Sequence, residues 1–306
     1  MPDFDLLVIG EINPDLILQG QDVTPAFGQA EKLVENAALT IGSSSVIFGC
    51  GAAQLGLKVI FVGIVGDDVF GHYMLNEMQK RGIDTTHCII SKKETTGFSV
   101  ILSQPNDRAI LTHAGSIASL RYGDIDQHLF KHVRHLHLGS FFMLSQLQKD
   151  VATLFSKAKA AGLSTSIDTN WDPAETWDSG LSEVLKYTDV FLPNEAELLN
   201  ISKQKTLNEA LTNLNDIPIV AVKLGSKGGL AQQHNQTVTA PPLSVRVVDT
   251  TGAGDTFDAG FLYGYLQSWT LEKSLQLACA CGSLSTQGMG GTSAQPTLEE
   301  ALASLE

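Results

Sequence analysis

The chain has 306 residues, enough for one large α/β domain or two average ones, and 43% of them are hydrophobic and 17% charged. Its formal net charge of −13 argues against general binding to nucleic acids or anionic membranes, because such binding needs a basic face. The chain has four cysteines and no CxxC pair, which predicts a reducing compartment. Its N-terminus is acidic and shows no signal-peptide pattern, so we expect a cytoplasmic location. The longest apolar run, 46–66, contains Gln54, Lys58 and five glycines, so we expect a helix and a strand there rather than a membrane span.

Strand and helix patterns alternate along most of the chain. Residues 4–10 form a continuous apolar run that suits a buried parallel strand, 42–55 form a small-residue helix, and 59–65 form a second buried strand. The alternation resumes near residue 135 and continues toward the C-terminus. Repeated strand–helix units predict a mostly parallel sheet covered on both faces, a Rossmann-like three-layer α/β sandwich in a single domain spanning 1–306.

Two segments interrupt this alternation. Residues 11–40 are irregular or strand-like, and 89–115 form a half-polar, β-rich block with a turn at 104–107 and no helix between its strands. We predict that 11–40 and 89–115 together form a small antiparallel sheet that projects from the main fold.

A glycine-rich stretch at 249–257, DTTGAGDTF, follows a β-rich run at 243–248 and precedes an apolar helical pattern. A strand should therefore lead into a turn that opens a helix, and the unpaired N–H groups of a helix N-terminus form a ready anion site. Asp255 lies where the anion would bind. A carboxylate there suits chemistry beside a phosphate, and it equally suits a helix cap in a tight turn.

Polar side chains follow several of the predicted strands, and the carboxyl ends of parallel strands share one edge of a sheet. We therefore expect one site built from these groups. They are Asn13, Asp15, Asp168, Asn170, Asn194, Glu197, residues 223–228 and residues 249–255. The chain has no P-loop sequence GxxxxGK[ST], and Phe257 stands where a dinucleotide fingerprint needs Gly or Ala.

Four motifs in chain order resemble the ribokinase-like (PfkB) carbohydrate kinases, and the resemblance covers nearly the whole chain. The 249–257 stretch is similar to the family's DTxGAGDxF signature. The others are Gly42-Ser43 with VGxxGDDxFG at 62–71, PNEAE at 193–197, and LGxxG at 224–228. The resemblance implies a ribokinase-like fold whose small sheet is a lid, and transfer of the ATP γ-phosphoryl group to a hydroxyl of a neutral sugar or polyol.

The resemblance also implies a role for each matching residue. Asp255 would be the general base, and Gly252, Ala253 and Gly254 would form an anion hole. The substrate site would comprise Asn13, Asp15, Gly42, Ser43 and Ile47. The nucleotide site would comprise Asn194, Lys223, Gly225, Gly228 and Gly254. Mg²⁺ would be held by Asn194 and Glu197, largely through water, and a monovalent cation such as K⁺ by Asp249 and Thr251.

Two departures from the family pattern leave the substrate open. Ser43 replaces the second glycine of a Gly-Gly hinge, and Ile47 stands where the family often has a sugar-contacting Asn. A nucleoside kinase remains an alternative, as does a sugar-phosphate kinase, for which Lys92, Lys93 and Arg108 are the basic candidates. A sugar- or nucleotide-binding regulator without catalysis is the alternative from another class, and a nicotinamide oxidoreductase is a remote one. Lids of some members pair between subunits, which implies a possible homodimer.

Overall fold

The computed structural model of the chain describes residues 2–105, 107–234 and 236–305. Asn106, in the predicted turn at 104–107, lies outside them. The strands are β1 Leu6–Ile9, β2 Pro14–Gln19, β3 Asn36–Ile41, β4 Val59–Val62, β5 Ile64–Gly66, β6 Ile83–Asp84, β7 Ile89–Ser91, β8 Phe98–Gln104, β9 Asp107–His113, β10 His135–Leu138, β11 Ser164–Ile167, β12 Val190–Phe191, β13 Ile219–Lys223, β14 Gly229–Gln233 and β15 Gln236–Ala240. The α-helices are α1 Ser44–Gln54, α2 Val69–Lys80, α3 Val151–Ala160, α4 Leu181–Leu185, α5 Glu195–Ser202, α6 Leu207–Asn213, α7 Ala253–Leu266, α8 Leu271–Ser285 and α9 Leu298–Ala303.

The larger sheet has nine strands in the order β15-β14-β13-β12-β11-β10-β1-β4-β6. Pairing is parallel from β6 to β13, and only the β13–β14–β15 edge is antiparallel. The mostly parallel α/β sheet predicted from the sequence is confirmed. None of the helices in the described ranges is long and apolar enough to cross a membrane.

Both faces of this sheet are covered, as strand β1 illustrates. Its side chains alternate, so Leu6 and Val8 pack with apolar residues of α1, α2, α7, α8 and α9, whereas Leu7 and Ile9 pack with those of α3 to α6. A strand buried on both faces needs apolar residues at every position, which explains its continuous apolar run. This layering fixes the carboxyl ends of β1, β10, β11 and β13 along one edge.

The smaller sheet has the order β3-β2-β8-β9. The outer pairs are antiparallel, but β2 and β8 are parallel, so the expectation of a purely antiparallel sheet was wrong for this pair. Residues 89–91 lie outside this sheet and pair with β5 instead. The small sheet is therefore built from 14–41 and 98–113.

The β-rich run at 243–248 forms no strand, contrary to the sequence-based expectation. It connects the edge strand β15 to α7 and pairs with no strand in the described ranges. Instead, the backbone N–H groups of Val248 and Asp249 donate to the carbonyl oxygen of Thr286, at the end of α8. Strand-forming composition could not reveal the absence of a partner strand.

Candidate active site

Helix α7 begins directly after Gly252, whose backbone is left-handed at φ +73°. A Cβ atom at this position would lie 2.7 Å from the Gly291 Cα and 2.8 Å from the Ile47 Cγ2. The left-handed backbone and the lack of space for a Cβ atom both require glycine at position 252. Glycine also provides no side chain to cap the helix. The Ala253 N–H donates to the Thr250 carbonyl oxygen at 3.3 Å, whereas the N–H groups of Gly254 and Asp255 make no hydrogen bond with another described residue and lie at the positive end of the helix dipole. This turn is suited to an anion.

Asp255 lies in the first turn of α7, half-buried beside these amides. Burial raises the pKa of Asp255 well above its ordinary value; the carboxylate of Asp168 adds to the shift, and Lys223 opposes it. The neighbouring Ser44 hydroxyl also lowers the pKa of Asp255. A carboxylate with a raised pKa is a more effective proton acceptor, because a base works best when its pKa is near the working pH.

Lys223, at the end of β13, lies beneath the anion turn. Its Nζ is 2.8 Å from Asp168 Oδ2 and 2.8 Å from Asp258 Oδ2, and a Cβ on Gly254 would be 4.0 Å from the same Nζ. Burial would lower the pKa of Lys223, but Asp168, Asp258 and Glu197 raise it overall, so the side chain is charged. The sequence predicted Lys223 as a nucleotide contact; the structure places its ammonium group in an ion-pair cluster.

Asp258 completes this cluster and was not singled out from the sequence. Its side chain is 1% exposed, and Oδ1 has no hydrogen-bond partner among the residues that the structure describes. Burial raises the pKa of Asp258 well above its ordinary value; Lys223 opposes this shift, and the Asp168 carboxylate adds to it. The one available signal was the i, i+3 spacing from Asp255, which brings both residues onto one side of α7.

Asn194 and Glu197 form a capping box at the start of α5. Asn194 Oδ1 accepts the N–H of Glu197 and Glu197 Oε2 accepts the N–H of Asn194, both at 2.9 Å. Burial and then the Asp168 carboxylate raise the pKa of Glu197 to about 7. Within 2–105, 107–234 and 236–305, no three His, Cys, Asp or Glu side chains converge to hold a metal directly. A cation here would keep several water ligands, as Mg²⁺ usually does.

A cavity of about 530 Å³ adjoins the anion turn. Four of the five residues predicted for the nucleotide line it, namely Lys223, Gly225, Gly228 and Gly254. The fifth, Asn194, is joined to Lys223 by an isolated parallel bridge. The opposite wall is largely apolar, with Leu243, Val245, Phe257 and Cys279. An apolar slot that ends at an anion site has the form expected for a nucleotide pocket.

The small sheet contributes a second wall of the cleft. Asn13 and Asp15 are 5% and 8% exposed, and a Cβ on Gly42 would lie 2.2 Å from Asp15 Oδ1. Burial raises the pKa of Asp15 to about 7; the guanidinium group of Arg108 opposes this shift, and Glu11 adds to it. Asn13, Asp15 and Gly42 are thus brought together, as the sequence predicted.

Ser43 and Ile47 are near this wall, but their side chains are used elsewhere. Ser43 has φ +67°, and its Oγ donates to the Glu11 carbonyl oxygen at 2.6 Å and accepts the N–H of Val46, which caps α1. Ile47 is 3% exposed and packs against Gly252 and Gly291. Neither side chain is presented to the cleft.

Asp249 and Thr251 brace the loop before α7. Asp249 Oδ1 accepts the N–H and the hydroxyl of Thr251 at 2.9 and 2.8 Å, and its Oδ2 accepts the N–H of Gly290 at 2.8 Å. Arg108 reaches across from β9, with Nη1 3.3 Å from the Thr251 hydroxyl. The loop that carries the anion turn is therefore tied both to the segment after α8 and to the small sheet.

Known proteins are similar to this chain in sequence and in fold. The family model "pfkB family carbohydrate kinase" matches residues 4–298. The chain belongs to this family and is a carbohydrate kinase. It is 34% identical over 230 residues to an uncharacterized sugar kinase of Archaeoglobus fulgidus, covering 73% of this chain and 89% of that one. It is 26% identical to the ribokinase of Haemophilus influenzae over 98% of both chains. A candidate ribokinase II from E. coli, solved with ATP and Mg²⁺, superposes with a TM-score of 0.85 at 24% identity over 99% of both chains.

Proposed function

We propose that this kinase transfers the ATP γ-phosphoryl group to a hydroxyl of a neutral sugar or polyol, within a single domain whose small sheet acts as the lid. The observation that carries the proposal is the α7 N-terminus. There a carboxylate with a raised pKa and an uncapped set of backbone N–H groups share one turn. The carboxylate of Asp15, 8% exposed beside Gly42, can accept hydrogen bonds from the hydroxyls of a polyol.

In the proposed reaction, Asp255 takes the proton of the acceptor hydroxyl as that oxygen attacks the γ-phosphorus. General-base catalysis of this kind contributes roughly 10²–10⁴-fold. The N–H groups of Gly252 and Gly254 stabilise the charge on the transferred phosphoryl group, and Ala253, whose N–H donates to the Thr250 carbonyl oxygen, shapes the turn between them. The loss of one such donor costs about 10²–10³-fold. Closure of the lid excludes water from the reaction.

Asn194 and Glu197 would hold Mg²⁺ through its water ligands. The fit rests on Glu197, a buried carboxyl group whose pKa is about 7 because burial and Asp168 disfavour its charge. A divalent cation would supply the missing positive charge and neutralise the phosphates.

Asp249 and Thr251 would help to hold K⁺ and so order the loop before α7. That role predicts faster turnover in K⁺ than in equimolar Na⁺, and equal rates would contradict it.

A sugar phosphate is the second candidate acceptor, favoured by Arg108. Its guanidinium group lies over the loop before α7 and makes no ion pair with another described residue. A guanidinium group binds phosphate with paired hydrogen bonds. Faster phosphorylation of D-ribose 1-phosphate than of D-ribose would favour this candidate over a neutral acceptor.

We also propose a homodimer formed through the lid. The outer face of the small sheet is apolar and includes Leu16, Leu18, Val100 and Leu111, the last of them 61% exposed. An exposed apolar sheet face is typical of a protein interface. Leu111→Glu should convert a dimer to a monomer in sedimentation equilibrium, and a wild-type protein that sediments as a monomer would refute the proposal.

Release of ADP tests the principal proposal. The purified protein is assayed with Mg²⁺-ATP and a panel of D-ribose, D-fructose, myo-inositol and adenosine. Asp255→Asn should lower the turnover number by about 10²–10⁴-fold and leave ATP binding near the wild-type value. Asp216→Asn, at an exposed carboxylate remote from the cleft, is the control. Retained turnover in Asp255→Asn would remove Asp255 from the role of base.

A further inference from the structure

Asn170 follows β11 at the edge of the cleft and has a left-handed backbone at φ +57°. Two short hydrogen bonds hold it in this conformation. Its N–H donates to Asp168 Oδ1 at 2.8 Å, and its own Oδ1 accepts the N–H of Trp171 at 2.7 Å. Because the backbone of Trp171 is a donor, the oxygen end of the Asn170 amide is identified, and Nδ2 must be the end that faces Ser44 and Ser140.

The contacts of this Nδ2 are long. It lies 3.3 Å from Ser44 Oγ and 3.3 Å from Ser140 Oγ, beyond the usual range for an N–H···O bond. Ser140 is fully buried and donates to Glu11 Oε1 at 2.9 Å, so it is committed to the interior. Asn170 and Ser44 are half-buried and reach the cleft. The donor end of a rigidly held amide is thus only weakly used within the protein.

Asp255 is the near neighbour of this donor. The Ser44 hydroxyl lies 3.3 Å from Asn170 Nδ2, and as a polar neighbour it lowers the pKa of Asp255, so the same hydroxyl is near both the amide and the base. An acceptor oxygen bound next to the reacting hydroxyl would lie in the same gap. Ile47 cannot serve this purpose, because it packs against Gly252.

We propose that Asn170 is a specificity-determining residue whose Nδ2 donates to the acceptor oxygen on the carbon next to the one being phosphorylated. The inference rests on the proposed function, because it requires the acceptor hydroxyl at Asp255. Asn170 offers a donor at one side of the cleft and Asp15 offers an acceptor at the other. A sugar can satisfy both in one orientation only, and this selects which hydroxyl meets the base.

The test compares two acceptors. One is the sugar of the panel that the wild-type enzyme phosphorylates fastest, and the other is the deoxy analogue of that sugar, which lacks the oxygen on the carbon next to the one being phosphorylated. Asn170→Asp removes the donor but keeps the oxygen that accepts from Trp171. Asn170→Gly removes the amide and tolerates the left-handed backbone. For the complete sugar, both variants should lower kcat/KM by roughly 5- to 150-fold, the loss expected when a hydrogen-bond partner is left unsatisfied. The KM for ATP should stay unchanged.

The analogue separates recognition from positioning. The wild-type enzyme should lose a similar factor with the analogue, and the Asn170 variants should then use the analogue as well as the wild-type enzyme does. If the variants lose the same factor with both acceptors, Asn170 only supports the structure and the inference is overturned. Variants that discriminate as the wild type does also overturn it, while the proposed function stands. A wild-type enzyme inactive with the whole panel would overturn both.

Discussion

Asp15→Asn should make the free protein more stable while impairing its activity. The carboxylate of Asp15 is 8% exposed, lies against Gly42 and makes no hydrogen bond or ion pair with another described residue. Asparagine has nearly the same shape and carries no charge, so the substitution removes the cost of a buried charge without creating a cavity.

The magnitude follows from the pKa of Asp15, which burial raises from 3.8 to about 7. At pH 8 the carboxylate is ionised in the folded and unfolded chain, and at about 1.4 kcal/mol per pKa unit its ionisation costs the folded state about 4 kcal/mol. Below the ordinary pKa of 3.8, Asp15 is protonated in the folded and the unfolded chain and imposes no such cost. The free energy of unfolding then falls as the pH rises from 3.8 toward about 7. At pH 5 the remaining cost is about 2 kcal/mol.

The assay is the free energy of unfolding in urea for wild type and Asp15→Asn, at pH 8 and pH 5. The variant should be more stable by up to about 4 kcal/mol at pH 8 and by about 2 kcal/mol at pH 5. Asp216→Asn, at an exposed carboxylate, should change neither value appreciably. In the kinase assay kcat/KM for the acceptor should fall roughly 10- to 150-fold, as expected for the loss of a charged hydrogen-bond acceptor. A stability difference that is absent, or equal at both pH values, would refute the reasoning.

The other predictions concern the anion turn and the metal. Gly252→Ala should cost about 1–3 kcal/mol of stability through backbone strain and about 10²–10³-fold in kcat, because its Cβ would lie 2.7 Å from the Gly291 Cα. Gly56→Ala, at φ +98° with open space around it, should lose stability but not activity. Glu197→Gln should raise the Mg²⁺ concentration for half-maximal rate about 10- to 100-fold, measured at fixed ATP with Glu299→Gln as control. An unchanged Mg²⁺ requirement would remove Glu197 from the metal site.

The main layers of the fold could be predicted because their signals are local. A continuous apolar run such as β1 predicts a strand buried on both faces, and the strand–helix alternation predicts parallel pairing. Pairing partners are not local, and this is where prediction was wrong. Residues 243–248 have strand-like composition but no adjacent strand, and residues 89–91 pair with β5 rather than with the lid.

Within the site, prediction was best where the backbone carries the chemistry. The left-handed Gly252 and the uncapped start of α7 follow from the 249–257 stretch alone, because the turn itself specifies them. Side-chain orientation was less accessible. Ile47 lies in α1 at the expected position, yet its side chain packs against Gly252, and the amide proposed in its place belongs to Asn170, which follows β11. Spacing within one helix cannot indicate a contact supplied by a distant segment.

The balance of charge in the cleft favours a neutral acceptor over a phosphorylated one. Burial raises the pKa values of Glu11, Asp15, Glu197 and Asp255, and Lys223 is already engaged by Asp168 and Asp258. Burial raises these pKa values more than the neighbouring cations lower them, since Arg108 opposes the shift at Asp15 and Lys223 opposes it at Glu197 and Asp255. The hydroxyls of a polyol can donate hydrogen bonds to carboxyl groups without adding charge. A divalent cation beside Glu197 would offset the negative charge of that carboxylate. A phosphorylated acceptor would bring further negative charge close to these carboxyl groups. Arg108 of the small sheet is the cation that we expect to balance that charge. Asp15 and Asp255 are the members of this set that a neutral, hydroxyl-rich acceptor would satisfy under the proposed function.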